Sequence, residues 1–269
     1  MKRFTEANRR LWDARTPAHR KSEFYDVERF KGGATALKPL ELEELGDVSG
    51  KSLLHLQCHF GQDSLDWVRR GAQVTGVDFS GKAIQAARSL ASEMDLAADF
   101  VESDIMELPD HLAGSFDIVF TSYGVVMWLP DIRRWAEVIH HFLKPGGTFY
   151  IVEFHPASWI FDEESESLQV KYPYFNSGEP LALPSTGSYA DPAGSSGTFT
   201  EYSWCHSLAD IVTALIDAGL DLQFVHEFPF TSYPQFPKLM VQGEDGYWRL
   251  ENGDGSVPLM FSIRATRPE

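Results

Sequence analysis

The sequence predicts an α/β fold with a doubly wound, mainly parallel sheet. Two observations support this prediction. Between residues 51 and 154, short apolar runs alternate with longer stretches in which apolar residues recur at helical spacing. Stop signals follow two of these helical stretches, at Gly71 and at Lys144–Gly147. Alternation of this kind covers both faces of a parallel sheet with helices.

The alternating pattern begins at Lys51, after an N-terminal segment of helical and irregular pieces. The predicted elements up to residue 154 are strands Ser52–Leu56, Gln73–Val77, Ala98–Val101, Phe116–Thr121 and Thr148–Phe154, and helices Gln62–Arg70, Gly81–Met94 and Asp131–Leu143. Ser80 is the candidate N-cap of the second helix. After a long interruption, the sequence predicts helix Leu208–Ala218 and strands Leu222–Phe230 and Leu259–Thr266.

Composition narrows the possible partners. The formal net charge of −16 argues against nucleic acid, which requires a basic surface. No apolar run approaches the length of a membrane span, and the N-terminus does not resemble a secretory signal. Cys58 and Cys205 fit neither a disulfide framework nor a zinc spacing. We therefore expect a cytoplasmic protein that binds neither nucleic acid nor a membrane; the sequence leaves its oligomeric state open.

The first two predicted strands outline a nucleotide-type cofactor site. Asp78 ends the second strand and lies 21 residues after Gln57, the spacing of an acid that binds ribose hydroxyls. Asp78 could equally cap the next helix, and the two roles are compatible. The intervening loop contains one glycine, Gly61, where a dinucleotide site has three. Side chains at the other positions would crowd a pyrophosphate, so a cofactor without phosphates fits better.

Five motifs occur in order along residues 51–154: HLQCHFG, VTGVDFS, ESDIMELP, FDIVFTSYGVVMWLPD and LKPGGTFYIVEFHP. In this order and spacing the chain resembles the class I S-adenosylmethionine-dependent methyltransferases that act on small molecules. The resemblance implies a Rossmann-like, seven-stranded sheet with an antiparallel last strand. It also implies a methyltransferase domain at 51–269, with lid-like insertions at about 156–204 and 231–257, preceded by a helical cap segment at 1–50.

The resemblance assigns cofactor-binding roles by position. The loop from Gln57 to Gly61 would pass under the methionine part, Asp78 would hold the ribose, and Phe79 would pack on adenine. Asp104 would accept from the adenine amino group, Ile105 would offer its backbone amide, and Thr121 would border the site of methyl transfer. The expected cofactor-binding residues are therefore Gln57, Cys58, His59, Gly61, Asp78, Phe79, Asp104, Ile105 and Thr121.

The first motif departs from the family pattern. His55 replaces the family's acidic residue, and Gln57 and His59 replace its first two glycines. A backbone carbonyl or another acid, such as Asp63, must then neutralise the cofactor's ammonium group. A metal site formed by His55, Cys58 and His59 is disfavoured because the spacing matches no standard zinc pattern.

Catalysis and substrate binding are expected at the carboxyl end of the strands. His155 is the candidate general base, although it could be a structural turn histidine, and His206 is a second candidate. Aromatic faces attract sulfonium cations, and pockets of this kind are mostly apolar. The candidate pocket residues are Trp12, Tyr25, Tyr123, Trp128, Trp204 and His206.

The leading hypothesis is a methyltransferase that uses S-adenosylmethionine to methylate an unidentified small organic molecule. The altered first motif motivates an alternative, a non-catalytic adenosylmethionine-binding or interaction protein. A nicotinamide-dependent oxidoreductase is disfavoured by the missing glycines.

Overall fold

The sheet at the centre of the protein follows from the alternating pattern. The computed structural model describes residues 1–191, 197–252 and 255–269. The strands of the described part are β1 (Ser52–Leu56), β2 (Gln73–Asp78), β3 (Asp99–Glu102), β4 (Phe116–Ser122), β5 (Leu143–Phe154), β6 (Leu181–Ser185), β7 (Phe199–Ser203), β8 (Asp221–Phe228), β9 (Met240–Gln242), β10 (Trp248–Leu250) and β11 (Met260–Thr266).

Seven strands form the main sheet, in the order β3-β2-β1-β4-β5-β11-β8. The pairs among β1 to β5 are parallel, and β11 runs antiparallel to both β5 and β8. The direction in which successive strands are added reverses at β1, which pairs with β2 on one side and with β4 on the other. Ligands bind near such a switch point, beyond the carboxyl ends of the strands. The predicted doubly wound sheet with an antiparallel last strand is confirmed.

Helices cover both faces of this sheet. They are α1 (Lys2–His19), α2 (Val27–Lys31), α3 (Pro39–Leu45), α4 (Gln62–Arg69), α5 (Gly81–Glu93), α6 (Ile132–Phe142) and α7 (Leu208–Asp217). Adjacent residues of β1 point to opposite faces, so Leu54 packs with α6 and α7 while Leu53 packs with Trp67 of α4. The helix predicted after Ser80 is capped as expected, since the Ser80 hydroxyl accepts from the Ala83 N–H at 3.1 Å.

The two regions expected to be insertions contain short hairpins. Strands β6 and β7 pair antiparallel in the first region, and β9 and β10 do so in the second. Residues 192–196 and 253–254 of these regions lie outside the described residues. None of the helices in the described ranges has the length and apolar content needed to cross a membrane.

The strand predicted from Thr148 is longer than expected, because β5 begins at Leu143. The Lys144–Gly147 turn signal ends α6 without ending the pairing: Leu143 pairs with Phe116, and the register shifts before Thr148 pairs with Ile118. Gly146 has a φ of 74°, which accommodates this irregularity.

Candidate functional site

The loop between β1 and α4 lies at the switch point and has a glycine-like backbone with few glycines. Gln57 and His59 have φ values of 56° and 51°, in the left-handed region that side chains disfavour. Each such residue costs roughly 1–2 kcal/mol and needs support from its surroundings. The Gln57 Nε2 donates to the Val125 oxygen at 3.0 Å, and His59 Nε2 lies 2.9 Å from His19 Nδ1. Side-chain contacts therefore hold the conformation that glycine would adopt freely.

Gly61, the single glycine of this loop, is required for two reasons. Its φ is 80°, and a Cβ would lie 2.8 Å from the Phe100 ring. The neighbouring Cys58 is buried and donates its N–H to the Val77 oxygen at 2.9 Å, and burial raises the pKa of its thiol. Gly61 thus fixes the close approach of the loop to α5 and β3.

We expect Gly61→Ala to destabilise the protein by about 2–4 kcal/mol, through backbone strain plus overpacking against Phe100. Gly50→Ala is the matched control, because Gly50 has a φ of 73° but no heavy atom within 4 Å of its Cβ position. That variant should lose only about 1 kcal/mol. Urea unfolding measures both, and equal losses would show that the contact with Phe100 is unimportant.

Asp78, at the end of β2, is 7% exposed and faces the loop. Its Oδ2 accepts from the His59 N–H and its Oδ1 from the Ser80 N–H, both at 2.9 Å. Asp78 therefore supports the following helix indirectly, while each oxygen keeps a lone pair for a ligand. Burial, and to a smaller extent the charge of Asp13, raises the pKa of Asp78 to about 6.

Two further carboxyl groups lie near this edge of the sheet. Burial raises the pKa of Asp63 to about 6 and that of Glu41 to about 7. Asp63 accepts from the Ser122 hydroxyl at 3.2 Å, and Glu41 accepts from the Tyr123 hydroxyl at 2.8 Å. Within the described part of the chain, neither these two nor Asp78 forms an ion pair. Buried carboxyl groups without an ion-pair partner suit a positively charged ligand, whose charge would stabilise their ionised form.

His55 does not take the place of the missing acid. It is buried in β1, its Nδ1 lies 2.8 Å from the Ser64 hydroxyl, and burial lowers its pKa to about 3. The ring is neutral and bound to α4. Asp63, one residue earlier on the same helix, is the acid placed toward the edge. Among the described residues, no group of three or more His, Cys, Asp or Glu is arranged to hold a metal ion.

Helix α1 lies across the carboxyl edge. Trp12 contacts His59 and Trp128 edge-on, at centroid distances of 5.2 and 5.5 Å. Asp13 accepts from the Ser80 hydroxyl at 2.6 Å. Tyr25, just beyond α1, packs on Phe60 at 4.7 Å. Three of the expected pocket residues, Trp12, Tyr25 and Trp128, therefore surround the β1–α4 loop.

The expected adenine-binding residues lie at the ends of β2 and β3. Asp104 accepts from the Met106 N–H at 2.9 Å and so caps a short helix that begins at Ile105. Burial raises the pKa of Asp104. Phe79 follows Asp78 directly and is half-buried. The two strand ends are adjacent, because the Ser103 N–H donates to the Asp78 backbone oxygen at 3.0 Å.

The loop after β4 is held by Glu153, which the motif analysis did not single out. Its Oε1 accepts from the N–H groups of Gly124 and Phe154 at 2.5 and 2.6 Å. Its Oε2 accepts from those of Val125 and Val126 at 2.7 and 3.0 Å. A buried acid at the end of a strand, before a chain reversal, is the only sequence signal for this role.

Two expected site residues point elsewhere. The Thr121 hydroxyl is fully buried and donates to the Leu56 oxygen at 3.1 Å, joining β4 to β1. The Tyr123 ring packs against Phe154 and toward Glu41. Thr121 therefore joins β4 to β1, and Tyr123 joins the end of β4 to α3.

A cavity of about 130 Å³ lies between the β4 loop and the first insertion. Its wall is mostly aromatic and apolar and includes Gly124, Val126, Trp159, Tyr172, Tyr174, Glu201, Trp204, Cys205 and His206. Trp204 and His206 are thus the expected pocket residues that line it. The cavity adjoins the β1–α4 loop, because Val125, between two residues of its wall, accepts the Gln57 hydrogen bond.

His155, the first candidate base, is not part of this wall. Its Nδ1 accepts from the Ala157 N–H at 3.0 Å, and its Nε2 lies 2.8 Å from Glu227 on β8. The ring therefore turns toward the antiparallel strands, and its basic lone pair is already used. These contacts favour a structural turn role for His155, which was the alternative to a general base.

Known proteins similar to this chain include methyltransferases. A family model described as a methyltransferase domain matches residues 53–147. An uncharacterized methyltransferase of Synechocystis is 33% identical over 132 residues, covering 48% of this chain and 60% of the relative. A ubiquinone biosynthesis O-methyltransferase of Erwinia tasmaniensis is 30% identical over 145 residues, covering 52% and 59%. The chain thus spans less than two thirds of either relative.

The fold is also found among solved structures. The crystal structure of an S-adenosylmethionine-dependent methyltransferase from Mesorhizobium loti has a TM-score of 0.60 and 22% sequence identity. The alignment covers 88% of this chain and all of that one.

Proposed function

Because residues 53–147 form a methyltransferase domain within a class I methyltransferase fold, we propose that the protein is an S-adenosylmethionine-dependent methyltransferase of small molecules. The observation that carries the proposal is Asp78. A buried carboxylate ends β2 at the switch point, is aligned by two backbone N–H groups, and has no ion pair with a described residue. This arrangement suits the two hydroxyls of a ribose.

The other residues around the edge fit the remaining parts of this cofactor. The loop from Gln57 to Gly61 provides backbone beneath the methionine part. Asp63 supplies the negative charge for the ammonium group, because His55 stands where the family has an acid. Phe79, Asp104 and the Ile105 amide hold the adenine. The carboxylate of Asp63, which has no ion pair with a described residue, matches the cofactor's ammonium group, and that of Asp78 matches the ribose hydroxyls.

The cofactor, when bound, supplies an activated methyl group on its sulfonium sulfur. The protein's part is to align the acceptor with that methyl group and to exclude water, a contribution of several kcal/mol. Helix α1 contacts the loop through Trp12 and His19. The acceptor binds in the cavity between the β4 loop and the first insertion. The insertion acts as a lid over this cavity.

The partner and location follow from the same features. A cavity of about 130 Å³ admits a small molecule. The net charge of −16 disfavours a polyanion such as nucleic acid. Two free cysteines accord with a reducing compartment, so we propose a cytoplasmic location.

Thermal-shift titration tests the proposal. We expect S-adenosylmethionine and S-adenosylhomocysteine to stabilise the protein, by about 2.7 kcal/mol at a hundredfold excess over Kd, and NAD to leave it unchanged. The absence of a shift with both sulfur ligands would refute the proposal. Cofactor binding without methyl transfer to any of a broad panel of acceptors would favour the non-catalytic alternative.

A further inference from the structure

The cavity between the β4 loop and the first insertion has an aromatic wall. Trp159, Tyr172 and Tyr174 of the insertion line it, together with Phe154 at the end of β5 and Trp204 after β7. The three rings of the insertion are half-buried. Aromatic faces carry partial negative charge and attract cations as well as apolar groups. Such a wall suits an apolar ligand or a cation, and the surrounding charges decide between the two.

Two of these rings are held in place. The Tyr174 hydroxyl accepts from the Leu208 N–H at 3.3 Å, which ties the ring to the start of α7. Trp159 packs edge-on against Phe154, with a centroid distance of 5.9 Å. Rings that are already ordered lose little conformational freedom when a ligand enters, so a smaller part of the binding free energy is lost.

The charged groups in the wall are negative. Three glutamates line the cavity, Glu153, Glu163 and Glu201, and no lysine or arginine of the described residues does. The wall contains one histidine, His206, and burial lowers its pKa, so the ring is neutral. A wall with carboxylates and no cation attracts a positive ligand and repels a carboxylate or a phosphate.

Two of the three carboxylates have no ion pair with a described residue. Burial raises the pKa of Glu153, yet each of its oxygens accepts two backbone N–H groups, and only the ionised form can accept all four. Glu163 is exposed. Glu201, in contrast, pairs with Arg15 at 3.1 Å. The wall therefore keeps two negative charges that no described cation balances.

One ring of the wall already contacts an ammonium group. Lys171 Nζ lies 5.0 Å from the centroid of the Tyr172 ring. Lys171 is not part of the wall, and Asp162 balances its charge at 3.0 Å. Tyr172 therefore offers a π face that accommodates a cation in this protein.

We propose that the methyl acceptor is a small molecule with a positively charged nitrogen, and that Trp159, Tyr172 and Tyr174 bind its ammonium group. This inference rests on the proposed function. The rings replace the water that the ion loses, and the charges of Glu153 and Glu163 balance its own. The cavity of about 130 Å³ limits the ligand to the size of benzene, which an apolar cavity of about 150 Å³ accommodates.

Calorimetry with two ligands of the same shape tests this inference. Choline and its neutral isostere 3,3-dimethylbutan-1-ol are titrated into protein saturated with S-adenosylhomocysteine. We expect choline to bind about 5- to 30-fold more tightly, as contacts between aromatic rings and a desolvated ammonium group predict. Equal or tighter binding of the neutral alcohol, or no binding of choline, would overturn the inference. Failure of S-adenosylhomocysteine to bind would instead refute the proposed function.

Substitutions in the wall assign the effect to the rings. Trp159→Leu should lower the ratio of choline affinity to alcohol affinity about fivefold, because leucine keeps the wall apolar and removes a π face. Trp159→Phe should retain most of the ratio, since phenylalanine restores a ring. Tyr172→Leu repeats the test at a second ring, and melting curves check the folding of each variant. A ratio that neither leucine variant changes would contradict the assignment.

Glu163→Gln tests the charge of the wall. It removes one carboxylate at an exposed position, and choline affinity should fall about twofold to fivefold. Glu166→Gln is the matched control, because Glu166 is exposed in the same insertion and is not part of the wall. That variant should bind choline as the wild type does. Equal losses in the two variants would show that the charge of the wall plays no specific part, against the proposal.

Discussion

Replacing Asp78 with asparagine should weaken S-adenosylhomocysteine binding by about 10- to 150-fold. A hydrogen bond to a charged group contributes roughly 1.5–3 kcal/mol, and the amide replaces one accepting oxygen with a donor. The amide nitrogen would also face the His59 or Ser80 N–H, both of which now donate to the carboxylate. Isothermal calorimetry at pH 8 measures the effect directly.

Asp99→Asn is the matched control, because Asp99 begins the adjacent strand β3, is exposed, and lies at the opposite edge of the sheet. It should bind as the wild type does. Equal affinity of Asp78→Asn and wild type would contradict the assignment of the ribose to Asp78.

The carboxyl groups of Asp78 and Asp63 predict that cofactor affinity depends on pH. The pKa of Asp78 and that of Asp63 are both raised to about 6 by burial, so both groups lose their charge as the pH falls below 6. Cofactor affinity should fall in that range. Because these pKa values in the folded protein exceed the ordinary value of 3.8, the folded protein binds the two protons more tightly than the unfolded chain does. The stability of the free protein should therefore increase as the pH falls from above 6 to about 4. The melting temperatures measured with and without S-adenosylhomocysteine should therefore converge at acid pH.

Replacing Glu153 with glutamine should destabilise the protein by about 2–6 kcal/mol. Its two oxygens accept four backbone N–H groups, and glutamine would present a donor to two of them, at about 1–3 kcal/mol for each buried donor left unpaired. Urea unfolding measures the loss. Glu43→Gln, at an exposed position of α3, should change stability by less than about 0.5 kcal/mol. A loss below about 1 kcal/mol at Glu153 would show that the loop does not depend on it.

Periodicity predicted the sheet well because its signals are local. Leu53 and Leu54 lie in separate cores on opposite faces, as alternation along a buried strand requires. The start of β5 was misplaced because a turn signal at Lys144–Gly147 acts on the helix, whereas strand pairing is decided by the neighbouring β4. Hairpins β6–β7 and β9–β10 lie in regions rich in Gly, Ser and Pro, where local preference is weak.

The site was predictable where residue type and strand end determine position together, as for Asp78. The site was not predictable where the direction of a side chain decides what that side chain contacts. His155 follows β5 as expected, yet its ring turns toward Glu227, and the Thr121 hydroxyl turns toward Leu56. Glu153 was missed because its role depends on four N–H groups that converge only after folding. Asp63 entered the prediction because His55 replaces an acid and leaves a charge unbalanced, and its role toward the cofactor stays a prediction.

Helix α1 contacts both halves of the site. Asn8 exchanges two hydrogen bonds with the backbone of Tyr202 on β7, at 2.7 and 2.9 Å, and Arg15 bonds Ser185 on β6 at 2.8 Å. Five residues after Asn8, Asp13 bonds Ser80 beside Asp78. Helix α1 thus extends from the cofactor edge of the sheet to the hairpin that borders the cavity. Displacement of α1 would therefore break hydrogen bonds to the hairpin and to Ser80 together.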